Sequence, residues 1–233
     1  MKRFGVVIPS SNTTVEIEFN RALNGLATLH SARIRLRQVE VEELSRFSND
    51  VISETNKLAD AGVDVIGLAC TSGSFVKGSK QYLELEEIMA KTSGIPCITA
   101  SGAVIRGLEA LGCSRVALAT PYTEEVTKLE ERLLIDSGFS VTATRYAGLL
   151  DNTVIGMISE SEISRWVTDM NLSGADAVFI SCTNLKTFST LTGLESVLGI
   201  PVISSNSATL WDMIRRAGVS STSIKLGRLY SMR

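Results

Sequence analysis

The chain has 233 residues, 44% of them hydrophobic and 21% charged, and its 23 Lys and Arg against 25 Asp and Glu give a formal charge of −2. That length and composition fit one large or two small globular domains with well-buried cores, and exclude a disordered, collagen-like or coiled-coil chain. The balanced, interspersed charge leaves no electrostatic footprint for nucleic acid, and no segment approaches the roughly 20 uninterrupted apolar residues of a membrane span.

The chain opens MKRFGVVIPSSNTT, where the apolar run from Phe4 to Ile8 is broken by Pro9 and is too short for a signal-peptide core, so a cytoplasmic protein is expected. Short β-branched runs then alternate with helical stretches: a strand at RFGVVI, a helix over 15–26, a strand at IRLRQVEV, a helix over 45–61 and a strand at VDVIGLAC. Such alternation predicts βαβ units and a mainly parallel sheet. VDVIGLA is apolar on both faces, as a strand covered by helices on both sides should be. The fold class is α/β.

The second half repeats the first in register. Arg3 aligns with Arg115, Pro9 with Pro121, Gly62 with Gly174, Asp64 with Asp176, Cys70 with Cys182 and Thr71 with Thr183, each pair 112 residues apart. A further match, GIPCITASGA with GIPVISSNSA, stands at an offset of 105 and leads into helices over 104–111 and 209–217. The seven-residue slip is assigned to a longer first-half connection around 77–85. The repeat predicts two lobes related by a pseudo-twofold axis, each a mainly parallel sheet flanked by helices, with the active site in the cleft between them. Residues 1–98 with 207–233 are expected to form the N-terminal lobe, which holds the first cysteine, and 99–206 the C-terminal lobe, which holds the second.

Ligands of parallel sheets bind beyond the carboxyl ends of the strands, and Cys70 and Cys182 both fall there. A cysteine that ends a buried strand and opens a helix lies near free backbone N–H groups and the positive end of the helix dipole. Those donors can hold a carboxylate and favour a thiolate. Taken alone, Cys70 reads as a small buried hydrophobe and Thr71 or Ser72 as a helix N-cap. The coincidence of Cys70 and Cys182 in register favours a shared role, since two opposed thiols can serve opposite faces of one carbon without a metal or organic cofactor. Cys97, whose repeat partner is Val202, and Cys113, in a turn-like GCS, read as structural.

Other strand-end loops supply polar groups. Asn12, in PSSNTT, either caps the next helix or donates to a substrate oxygen, with Glu16 and Glu18 as charges suited to the helix start. Tyr122 stands at the equivalent place in TPYT, and Asn152 and Asn206 either cap helices or line the cleft. Lys186 either helps to hold a second carboxylate or is a solvated helix residue. No cysteine pair has CxxC spacing and the only histidine is His30, so a zinc site is not expected. The sequence has no GxxxxGK[ST], no GxGxxG after a strand, and no GxSxG elbow over 178–185.

The segments PSSNTT, CTSGS, TPY, DNTVIG and ISCTNLKT, in this order over nearly the whole chain, resemble the maleate cis-trans isomerase branch of the aspartate/glutamate racemase superfamily. The resemblance implies paired α/β lobes, no cofactor, a small carboxylic acid as substrate and a homo-oligomer. It implies that Cys70 adds to an olefinic carbon of maleate and that Cys182 donates and accepts the proton. Asn12, Tyr122 and Asn152 would bind the carboxylates, with Thr71, Ser72 and Thr183 at the same oxygens. Relatives also include amino-acid racemases that use both cysteines, which leaves racemisation of an aspartate-like, glutamate-like or ectoine-derived amino acid as the alternative. Arylmalonate decarboxylases keep only the second-half cysteine, so the pair counts against that chemistry. A small-acid binding protein without turnover is a further reading.

Overall fold

The computed structural model describes residues 1–232, apart from the side chain of Ser48. In the first half, β1 (Lys2–Pro9), α1 (Val15–Ala22), β2 (Ala27–Ile34), α2 (Val41–Asp60), β3 (Val65–Leu68), α3 (Gln81–Ser93), β4 (Cys97–Thr99) and α4 (Ala100–Ala110) follow one another. The second half runs β5 (Arg115–Thr120), α5 (Glu124–Asp136), β6 (Ser140–Tyr146), α6 (Asn152–Met157), α7 (Glu160–Thr168), β7 (Ala177–Ile180), α8 (Leu191–Leu198), β8 (Val202–Ser204) and α9 (Ser205–Arg216). The two sheets have the orders β2-β1-β3-β4 and β6-β5-β7-β8, every pairing parallel. The α/β fold with a repeated lobe is thus as the alternation and the register predict.

The central strands β3 and β7 are buried along their whole length, which is why VIGL and AVFI carry no polar face. Helix α9 is buried on every side from Ser205 to Ile214. Although it follows the second sheet, it packs on β3 and β4 of the first as well as on β8 and α4. That approach needs Gly67, because a Cβ there would lie 2.7 Å from Met213 Sδ. Trp211 and Ile214 are therefore core residues.

Several expected elements move: α1 ends at Ala22 instead of 26, and α2 spans Val41–Asp60 instead of 45–61. The second strand lies at Ala27–Ile34 instead of IRLRQVEV, because its neighbour β1 pairs Pro9 with Ile34 and ends there; the later residues leave the sheet and meet the second half, where Gln38 bridges Asp151 and Val39 N–H donates to Leu150 O at 2.7 Å. Helices α4 and α9 begin four residues before the expected 104 and 209, because Thr99 and Ser204 cap them by accepting the N–H groups of Gly102 and Ser207, each at 3.1 Å. The seven-residue slip divides, two residues in the loop after Cys70 and five in α3, which has 13 residues where α8 has 8.

Candidate active site

The carboxyl ends of β3 and β7 bring the two repeated cysteines to one place. Ala69 N–H and Ser181 N–H continue the strand pairing to Val7 O (2.9 Å) and Ala119 O (2.8 Å), and the next residue in each half is the cysteine. Cys70 is 3% exposed and Cys182 5%. Ser205, the first residue of α9, stitches the loops together: its Oγ accepts the Thr71 hydroxyl at 2.8 Å and the Cys182 N–H at 3.0 Å. The Thr183 hydroxyl donates back to Ala69 O at 2.9 Å.

Burial dominates the protonation of both thiols, because a thiolate loses more solvation than a thiol. It pushes Cys70 up to about 12, against the Gly73 N–H and the Ser72 side chain, with the Cys182 charge adding to the rise. It pushes Cys182 up to about 11, against the N–H groups of Asn184 and Leu185 and the Tyr122 hydroxyl, with the Glu130 charge adding to the rise. The expected helix after each cysteine is absent: Cys70 leads into one 3₁₀ turn, Ser72–Ser74, and Cys182 into turns that reach α8 only at Leu191. Single N–H groups therefore take the place of a helix dipole. Gly73 makes this possible at Cys70, since a Cβ there would stand 2.9 Å from the Cys70 sulphur and from Phe47 Cδ1. Cys182 has φ 101°, the only non-glycine residue with positive φ among those described.

Asn12, Thr71, Ser72, Tyr122, Asn152 and Thr183 are all buried around this pair. Asn12 Oδ1 accepts Thr14 N–H (2.9 Å) and Val15 N–H (3.0 Å) at the start of α1, while its Nδ2 donates to Thr183 Oγ1 at 3.3 Å. The cap of α6 is Asp151, which leaves Asn152 Nδ2 to donate to Ser11 Oγ at 2.8 Å. Lys186 is exposed, beside Glu18 and Phe188. Asn206 Nδ2 donates to Thr183 O (3.0 Å) and Glu18 Oε2 (2.7 Å), while its Oδ1 is buried without a hydrogen bond. Outside the cysteine loops, Ser10, Ser11, Arg37, Gln38, Asp151 and Thr153 line a cleft of about 440 Å³.

Several polar residues of the site escaped sequence reasoning. Glu18 is no surface charge at a helix start. It is buried and accepts Thr187 N–H (2.6 Å) and Phe188 N–H (2.8 Å) from the second half, and burial raises its carboxyl to about 7. Glu130, fully buried, places Oε1 2.6 Å from Ser181 Oγ, which lies 3.4 Å from the Tyr122 hydroxyl. Asn184 Nδ2 donates to Asn152 O at 2.6 Å. The repeat carried a signal for two of these, because Glu18 and Glu130 are themselves 112 residues apart. His30, in β2, bonds Thr28 Oγ1 at 3.0 Å. All four cysteines are free, with Cys97 against Ile95 O and Cys113 against Asp176 O. Among the described residues no three His, Cys, Asp or Glu side chains could together hold a metal ion, and no helix is long and apolar enough to cross a membrane.

Fold and site together define a two-lobed α/β protein with one buried cysteine from each repeat at adjoining strand ends. Residues 4–230 match the family model described as arylmalonate decarboxylase, and the chain belongs to that family. It is similar to the maleate isomerase of Nocardia farcinica strain IFM 10152, at 30% identity over 98% of this chain and 95% of that protein. The maleate isomerase Iso of Pseudomonas putida S16, solved as a cysteine-to-alanine variant with maleate, superposes with a TM-score of 0.94 at 29% identity over 99% of this chain and 98% of that one. A cysteine-to-serine variant of the N. farcinica maleate cis-trans isomerase, carrying a covalently bound succinylcysteine intermediate, superposes with a TM-score of 0.92 at 28% identity over 98% of each chain.

Proposed function

We propose that this protein is a cofactor-independent cis-trans isomerase of maleate or a similar small cis-enedioic acid, producing fumarate from maleate. The observation that carries the reading is the pair of strand-end thiols held together through Ser205, in a chain similar throughout to maleate isomerases. The Cys70 thiolate adds to one olefinic carbon, and the displaced electron pair moves onto the neighbouring carbon and its carboxylate. Cys182 gives that carbon its proton. The former double bond is now single and rotates; the Cys182 thiolate takes the proton back, the carbon–sulphur bond breaks, and the trans olefin leaves with Cys70 restored. Gly73 N–H and the Ser72 side chain favour the Cys70 thiolate against burial.

Asn12 and Asn152 each spend one Nδ2 hydrogen inside the protein and have a second to offer a substrate carboxylate. Tyr122, Thr71, Ser72 and Thr183 complete the proposed binding set. With both thiols at most 5% exposed, substrate reaches them when the surrounding loops part. The proposal includes the lobe boundaries 1–98 with 207–233 and 99–206, on the packing of α9 against the first sheet. It also includes a cytoplasmic location, which suits four unpaired thiols, and a homo-oligomer, on the family resemblance.

The test is incubation of the purified protein with maleate, followed by proton NMR. Conversion to fumarate is expected. Unchanged maleate, together with solvent deuterium entering the α-position of an amino acid, would overturn isomerisation in favour of racemisation.

A further inference from the structure

The four glutamates of α5 are Glu124, Glu125, Glu130 and Glu131, and Glu130 alone has no solvent exposure. It lies on the buried face with Val126, Thr127, Leu133 and Leu134. A carboxylate there would be poorly compensated, since Oε2 has no hydrogen-bond partner and Oε1 has only Ser181. Burial is the main cause that raises this carboxyl to about 8, with the Glu131 charge adding and the Ser181 bond opposing. The charged or titratable groups across from it are Tyr122 and Cys182, both of which feel its charge. In the neutral form it is a donor.

Ser181 immediately precedes Cys182 and has a single hydroxyl hydrogen. Its Oγ lies between Glu130 Oε1 (2.6 Å) and the Tyr122 hydroxyl (3.4 Å), and the Tyr122 hydroxyl is the side-chain group that opposes the rise of the Cys182 thiol. One hydrogen cannot serve both neighbours. If Glu130 is ionised, Ser181 donates to it. If Glu130 is neutral, its proton occupies that bond and the Ser181 hydrogen turns to the Tyr122 oxygen, so the tyrosine hydrogen points to the sulphur.

We propose that Glu130 is a positioning residue for Cys182, a neutral acid that orients Ser181 and through it directs the Tyr122 hydroxyl onto the Cys182 sulphur. This rests on the isomerase reading for its consequence in turnover, while its effect on the thiol stands apart from any substrate. The repeat gives it context. Glu18, the counterpart in register, also reaches the Cys182 side, through Asn206 to Thr183 O. The groups acting on Cys70 are Gly73, Ser72 and Cys182. Both buried acids thus lie on the Cys182 side.

The test uses the full chain. In a background with Cys70→Ser, Cys97→Ser and Cys113→Ser, the pH dependence of iodoacetamide alkylation, followed by mass spectrometry, reads the Cys182 pKa directly. Glu130 has lost its proton by the pH at which Cys182 titrates, so Glu130→Gln, which keeps a neutral donor and removes that charge, should lower the Cys182 pKa by about one unit; an unchanged value overturns the proposal. With all cysteines present, Glu130→Gln should keep kcat for maleate within about threefold, while Glu130→Met should lower it about tenfold or more at nearly constant KM. Equal losses in the two variants, or losses confined to KM, overturn it. If Glu130→Met does not fold, the glutamine variant decides alone. If the wild-type protein leaves maleate unchanged, the isomerase reading fails and the alkylation experiment still decides this one.

Discussion

The Thr71 hydroxyl donates to Ser205 Oγ at 2.8 Å, tying the loop after the first cysteine to the residue that also holds Cys182 N–H. Ser205→Ala would leave both donors buried without their acceptor. Each such group costs about 1–3 kcal/mol, so the urea midpoint should fall while the fold is retained. The relative placement of the thiols should loosen as well, and kcat should drop more than KM rises. Steady-state kinetics beside a denaturation curve checks both.

Cys70→Ser and Cys182→Ser should each abolish turnover, for different reasons. With the proton carrier removed, Cys70 can still add to maleate. Intact-protein mass spectrometry of Cys182→Ser after incubation should therefore show a gain of one maleic acid, mapped to Cys70. Cys70→Ser should show none, and circular dichroism should find both variants folded. Substantial turnover in either variant sinks the two-thiol scheme.

The positive φ of Cys182, 101°, is a conformation that a side chain tolerates poorly and glycine accepts freely. Such strain costs about 1–3 kcal/mol. Cys182→Gly should accordingly be more stable than Cys182→Ala by about 1 kcal/mol or more, the reverse of the usual order. Thermal denaturation of the two inactive variants measures the difference.

Glu18 makes stability depend on pH in a stated direction. Its carboxyl is raised from 4.5 to about 7 by burial, against the donors Phe188, Asn206 and Thr187. Between those two values the folded chain holds a proton that the unfolded chain has released, so stability falls as pH rises. The contribution is complete below about pH 4.5 and lost once pH passes about 7, a change of roughly 3 kcal/mol at ~1.4 kcal/mol per unit. Urea denaturation at pH 5 and pH 8 should show that slope in the wild-type protein and a smaller one in Glu18→Gln.

Much of the site was legible because the repeat is covalent information. The 112-residue register singles out Cys70 and Cys182 among four cysteines, and strand-end placement brings Asn12, Tyr122 and Thr183 with them. What misled was local reading of segments whose partner lies far away. IRLRQVEV has the alternation of a strand, yet β1 stops at Pro9 and the later residues of the segment bridge to Leu150, Asp151 and Asn152 of the second half instead. Glu18 has the position of a dipole-friendly charge, yet it is closed over by residues 187, 188 and 206.

The order of elements, their apolar strands and the pairing of the two cysteines were therefore set within the sequence, since periodicity and repetition act along the chain. The state of the thiols was decided by the tertiary structure. How far burial raises them, and why Ser205, Glu18 and Glu130 gather at the Cys182 side, depend on contacts between residues 23 to 169 positions apart and on solvent excluded by the closed fold. Desolvation is a property of the whole surrounding volume, and no short stretch of sequence contains it.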